Sequence, residues 1–197
     1  MERVPLFPLH TVLFPGGILP LHIFEERYRG LVRERRDFAI VLIKEGREAG
    51  DSPEIHPVGT LGTIDELEEM ADGRFNLVLK GVQRVRIESV DDSQPYLTGV
   101  VEALPEPAST GAARLLVLLQ EYLRLHGLEV QLKLEPGAGR RAVWLVGSIL
   151  QAEPIKLQRL LESGDSKLAE ALLTEEVDRI KRFGRIAPMT PRHPSAN

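Results

Sequence analysis

Four prolines, Pro5, Pro8, Pro15 and Pro20, fall within the first twenty residues, with short apolar runs between them. Proline has no backbone N–H and a fixed φ, so it interrupts a central strand or a helix interior. The N-terminal region must therefore use short, edge-like or bent strands. The spacing predicts them near Val4–Phe7, Thr11–Phe14 and Ile18–His22. A helix follows across Glu25–Arg36, where Phe24, Tyr28, Leu31 and Val32 recur at helical spacing with charges opposite. Glu25 and Arg29, four residues apart, are expected to pair on that charged face.

Further strands are predicted at Phe38–Lys44, Val58–Ile64, Phe75–Leu79, Val82–Val90 and Tyr96–Val101, with Lys80-Gly81 splitting the third from the fourth. In Val82–Val90, Val85 and Ile87 share one face and Arg84 and Arg86 the other, as in a half-exposed strand. Many short strands separated by turn residues point to a closed or nearly closed barrel-like sheet, which also removes exposed strand edges.

The pattern changes at Leu104-Pro105-Glu106-Pro107, which reads as a linker. Beyond it the period is helical. Ser109 or Thr110 is a cap for a helix carrying Leu115, Leu118, Leu119, Tyr122 and Leu125, ended by Gly127. Pro136-Gly137 precedes a second helix with Val143, Leu145, Val146, Ile149 and Leu150. Pro154 opens a third, Ile155–Glu162. After Ser163-Gly164, Asp165 caps a fourth, with Leu168, Leu172, Leu173, Val177 and Ile180 facing inward. The expected class is α+β: a β domain over 1–104, a helical bundle over 105–183 and a flexible tail over 184–197.

Composition limits the chemistry. The chain lacks cysteine, which excludes disulfides, thiolate nucleophiles and Cys-based zinc sites. No apolar run is long enough to span a bilayer, and the N-terminus does not read as a signal peptide, so a cytoplasmic location is expected. Net charge is −6 over residues 1–105 and +2 over the remainder, which argues against nucleic acid as a partner. No G-x-S-x-G, G-x-x-x-x-G-K-[ST], H-E-x-x-H or helix-opening G-x-G-x-x-G occurs. No cofactor and no metal site is expected. His10 and His22 lie on neighbouring predicted strands, but lone histidines beside apolar strands more often pack and hydrogen-bond than ligate. The acidic run Asp65, Glu66, Glu68, Glu69 and Asp72 reads as a solvated turn or short helix.

The residues with the most to say about function are apolar. Phe7, Leu13, Phe14, Ile18 and Leu19 crowd a segment too proline-rich for long regular structure. They are the candidate contacts for extended apolar peptide: some are expected at the surface, while for any single one the core is the favoured place.

The stretch from Pro5-Leu6-Phe7-Pro8-Leu9-His10 through Phe14-Pro15-Gly16 to Leu19-Pro20-Leu21-His22-Ile23-Phe24-Glu25-Glu26-Arg27-Tyr28-Arg29 resembles the opening of the Lon N-terminal domain, the substrate-binding region of the ATP-dependent Lon protease. Gly59-Thr60 leading to Ile64, Lys80-Gly81-Val82-Gln83-Arg84-Val85-Arg86-Ile87 and Lys156-x-Gln158-x-Leu160-Leu161-Glu162 look like its later motifs. The resemblance reaches to about Ile180. It implies a PUA-like β pseudobarrel followed by a helical bundle, and a non-catalytic module that binds unfolded or extended polypeptides, with a protease or chaperone acting in trans. Glu25, Arg27 and Tyr28 of the motif read as architectural, fixing the first helix by a charge pair and a buried ring. Met1 and the proline-rich end point to a free-standing Lon-domain protein rather than a fragment. The alternatives are an RNA-binding PUA-like protein and a hydrolase with a dispersed His/carboxylate site.

Overall fold

The computed structural model describes residues 1–46, 53–107, 112–130 and 138–184. They form two compact units: residues 1–105 with 152–162, and residues 106–151 with those from 163 onward.

The first unit is built on six strands, β1 (Glu2–Leu9), β2 (Ile18–Ile23), β3 (Asp37–Glu45), β4 (Glu54–Glu69), β5 (Phe75–Asp91) and β6 (Thr98–Ala103), with helix α1 (Glu26–Glu34) after β2. Their order is β2-β5-β4-β3-β1-β6, and β5 also pairs with β6. Strands β5, β4, β3, β1 and β6 thus close a ring, the expected pseudobarrel. β1 and β3 run parallel; the other pairs are antiparallel. Strands β1 and β3 are buried on both faces, so two apolar clusters form. Phe7, Leu21, Ile23, Tyr28, Leu31, Phe38, Ile40, Phe75, Leu77 and Leu79 form one buried cluster; Val4, Leu6, Ala39, Val41, Val85 and Val101 belong to another. Each valine, leucine, isoleucine or phenylalanine among them stabilises the fold by about 1.5–3 kcal/mol relative to exposure.

Three strand expectations change. Thr11–Phe14 is not a strand but a loop that runs from exposed Thr11 to buried Leu13 and Phe14. The Thr60 hydroxyl donates to the Leu13 carbonyl at 2.6 Å, and Gly16 N–H donates to the Gly81 carbonyl at 2.8 Å, so partners outside a ladder satisfy its backbone. β5 runs through Lys80-Gly81 without a break. The acidic run lies on the end of β4 and in the turn after it, rather than on a turn or helix alone. In α1, Arg29 pairs with Glu26 at 3.0 Å instead of Glu25, and Phe24 lies outside the helix, 40% exposed.

Helix α4 (Pro154–Ser163) belongs to the first unit, which interrupts the continuous 105–183 bundle. Its anchor is Arg84, expected on an exposed strand face but only 5% exposed. The guanidinium donates to the carbonyls of Leu161 (2.9 Å), Glu162 (3.1 Å) and Pro105 (2.6 Å). Gln158 Nε2 adds a bond to the Val58 carbonyl at 2.9 Å.

The second unit contains α2 (Ala112–Leu125), α3 (Ala138–Ile149) and α5 (Ser166–Phe183). Gly127, at φ 78°, ends the α2 segment as predicted: its N–H bonds the Arg124 carbonyl, and that of Leu128 the Leu123 carbonyl. Asp165 caps α5 by accepting from the Lys167 N–H at 2.8 Å. Leu115, Leu119, Val143, Val146, Leu172, Leu173 and Val177 are buried, whereas Leu145 turns outward and Trp144 inward. The predicted caps Ser109 and Thr110, Pro136-Gly137 and the tail from residue 185 lie outside the described residues.

At the surface of the barrel Asp91 takes the Arg3 guanidinium at 2.5 Å. Hydrogen bonds from Ser93, then Arg3, hold its carboxyl below the ordinary value. A depressed carboxyl favours folding when ionised, so this contribution is present above the unfolded-state value and is lost as pH falls through the folded one. Asp91→Asn is expected to flatten the acid limb of the unfolding curve without changing stability near pH 9 relative to pH 7.

Candidate functional site

β2 is the strand that the closed ring leaves out. Among the described residues it pairs only with β5, from Ile18↔Lys80 to Ile23↔Phe75, and ends the sheet order. Its sequence alternates: Leu21 and Ile23 are buried and Leu19 is half-buried against the core, while Ile18 and Pro20 are exposed. The backbone alternates too. Gly81 N–H donates to the Gly17 carbonyl at 2.9 Å, which sets the ladder phase. Leu19, Leu21 and Ile23 therefore turn their N–H and C=O groups to β5, and Ile18, Pro20 and His22 turn theirs to the outer edge. Proline stands where the missing donor costs the sheet nothing.

The register builds three rows across the outward face of β2, β5 and β4: Ile18–Lys80–Thr63, Pro20–Val78–Glu66 and His22–Asn76–Glu68. Ile18 is 67% exposed and Val82, one step past Lys80 on the same side, is 52% exposed. At the other end the His22 ring lies near Phe24, centroids 6.3 Å apart. Arg74 can only donate, so His22 Nε2 accepts its 3.3 Å contact and Nδ1–H donates to Asn76 Oδ1 at 2.8 Å. Arg74 in turn bonds Asp72, and this keeps the Asp72 carboxyl below its usual range.

The five residues expected to contact peptide separate. Phe7, Leu13 and Phe14 are 6%, 4% and 1% exposed, which corrects the expectation of apolar surface there. Phe7 stacks on Tyr28 at 4.1 Å and leans on Phe38 at 5.5 Å, in the buried cluster that also holds Leu31 and Val32 of α1. Ile18 and Leu19 remain at the surface, on opposite faces of β2. Arg27 bonds Glu25 at 2.9 Å and covers the Tyr28 ring at 4.7 Å, the architectural arrangement the motif implied.

Catalytic clusters are sparse. Among the described residues His56 Nδ1 approaches a carboxylate, Glu162 Oε1, at 3.5 Å. The same oxygen accepts from Gln158 Nε2 at 2.9 Å, so the group serves to fasten α4. Among the described residues no three His, Asp or Glu side chains are grouped to hold a metal, and no helix is long and apolar enough to cross a membrane. Sequence reading missed the roles of Arg84 and Gln158, which carry no local signal; the edge-like strand it drew from the early prolines is β2, with Pro20 on it.

Comparison with known proteins agrees with this architecture. The family described as the ATP-dependent protease La (LON) substrate-binding domain matches residues 3–179. "Lon protease 2" of Syntrophobacter fumaroxidans is 29% identical over 204 residues, which cover 94% of this chain and 26% of that protein. The chain thus spans about a quarter of that relative's length. A Lon N-terminal domain protein from Xanthomonas campestris superposes with a TM-score of 0.67 at 27% identity, covering 88% of this chain and 98% of that one. The N-terminal domain of the Mycobacterium avium complex Lon protease gives a TM-score of 0.60 at 18% identity, covering 90% and 98%, a likeness of fold.

Proposed function

The chain belongs to the Lon substrate-binding domain family, and from that premise we propose that it binds unfolded or extended polypeptide without cleaving it. The observation that carries this reading is the exposed Ile18 on a strand whose outer edge has no ladder partner among the described residues. Ile18, Leu19 and the neighbouring Val82 supply apolar contact, and the edge supplies main-chain hydrogen bonds. Captured chain is passed to a protease or chaperone acting in trans.

Ile18→Asp tests this. The side chain is exposed, so folding stability should change by less than about 0.5 kcal/mol. A charge in the apolar strip should weaken binding of a labelled denatured-protein peptide roughly tenfold by fluorescence anisotropy, the equivalent of about 1.4 kcal/mol. Unchanged affinity would remove Ile18 from the site, and an unmodified protein that binds no such peptide at high micromolar concentration would remove the function.

A further inference from the structure

We infer that the ligand enters as an added antiparallel strand on the outer edge of β2, selected by its backbone donors and by alternating apolar and basic side chains. This rests on the polypeptide-binding reading and specifies its substrate class. The edge is chemically lopsided. Ile18, Pro20 and His22 each direct a carbonyl outward, but only Ile18 and His22 direct an N–H. A strand laid beside them meets more acceptors than donors, so its own N–H groups decide the fit. Every second residue of the ligand must supply one. Proline at those positions is excluded, and side chains opposite Ile18, Pro20 and His22 lie on the outward face.

That face also sets the side-chain preference. The row behind Pro20 runs over half-buried Val78 to Glu66, and the row behind His22 runs over Asn76 to Glu68. Both carboxylates are exposed. Glu69 and Asp72 nearby are held by Arg33 and Arg74, each at 2.7 Å, and exposed Lys80 stands behind Ile18, so the acidic part of this face is Glu66 and Glu68, behind Pro20 and His22. An added strand lies three ladder spacings from β4, about 14 Å. A lysine or arginine on it has an apolar bed of Pro20 and Val78 for its stem and carboxylates ahead of its head group. Attraction over that distance is screened by salt. The ligand's other face meets Leu19 at the rim of the core, where an apolar residue fits. Pro20 serves a second purpose: with its donor missing, two copies of β2 pair poorly with each other, so the edge stays open for a ligand.

The experiment uses the whole protein and three labelled octapeptides of alternating valine and arginine. One is unmodified, one is N-methylated at the arginine amides and one at the valine amides. Each methylated peptide loses the same number of donors, so each controls for the other's altered flexibility. The expected result is binding of the unmodified peptide, at least tenfold weaker binding of the arginine-methylated one and near-parental binding of the valine-methylated one. Affinity should fall severalfold between 50 and 500 mM salt, and Glu66→Gln with Glu68→Gln should flatten that dependence. Equal affinity, or equal loss, for the two methylated peptides would overturn strand addition while leaving polypeptide binding in place. Failure of all three to bind would overturn both.

Discussion

Replacing Arg84 by methionine is expected to lower the stability of the barrel unit by about 3–4 kcal/mol, among the largest effects of any single side chain in the protein. The reason is local. Three main-chain carbonyls from two distant stretches, Pro105 and Leu161-Glu162, converge on one buried guanidinium. Two belong to the last turn of α4, where helical carbonyls lack intrahelical partners. Methionine fills similar volume but donates nothing, so buried acceptors lose their partner and pay their desolvation cost. For a protein of this size the change corresponds to roughly 6–16 °C in the transition that reports on the barrel. Arg84→Lys should recover only part of it, because one ammonium cannot reproduce a planar fork. Thermal denaturation followed by circular dichroism gives the magnitude, and amide exchange gives the place: protection should drop first in residues 154–163. A loss below 1 kcal/mol would mean that packing by Leu160 and Leu161 alone holds α4. Peptide affinity at 10 °C should be unchanged, since the three bonds to Pro105, Leu161 and Glu162 do not involve β2.

The contrast between Arg84 and Pro20 explains what a single chain reveals before it is folded. Pro20 has consequences that are local: no N–H, no place in a central ladder. An edge strand was therefore readable from the residue itself, and so were the period-2 runs, the Pro105 break and the Gly127 helix end. Arg84 gains its meaning from carbonyls 21 and 77 residues away, and Gln158 from one 100 residues away. Nothing in the alternation of Val82–Val90 announces them. The same gap hid the home of α4, whose apolar stripe suits a barrel wall as well as a helical bundle. For the binding residues the difficulty was finer. Leu13, Phe14, Ile18 and Leu19 look alike in sequence, and only the turn at Gly16 and Gly17, which brings the chain back against Gly81, decides which are covered.

That close approach gives the second large effect, Gly81→Ala. Lys80-Gly81 reads in sequence as a break between two strands, yet β5 passes straight through it. The glycine is there for contact. A Cβ at residue 81 would sit 2.2 Å from the Phe14 carbonyl oxygen and 3.0 Å from its carbon. These are backbone atoms and cannot rotate away, so either β5 or the loop ahead of β2 must move. The cost should reach about 3 kcal/mol or more, the upper range for forcing an added methyl into a packed site. Displacing that loop also strains the bonds that Gly16 and Gly17 make with Gly81 and shifts Ile18, so peptide affinity should fall together with stability. Gly30→Ala provides the opposite case. It lies within α1 with nothing within 4 Å of the new Cβ, and alanine there should stabilise by about 1 kcal/mol through helix propensity. Urea denaturation and anisotropy on both variants, side by side, separate the two meanings of glycine in this chain. If Gly81→Ala folds as stably as the parent while still binding peptide, then the loop is softer than its buried Phe14 implies, and the position of Ile18 is set by β5 pairing alone.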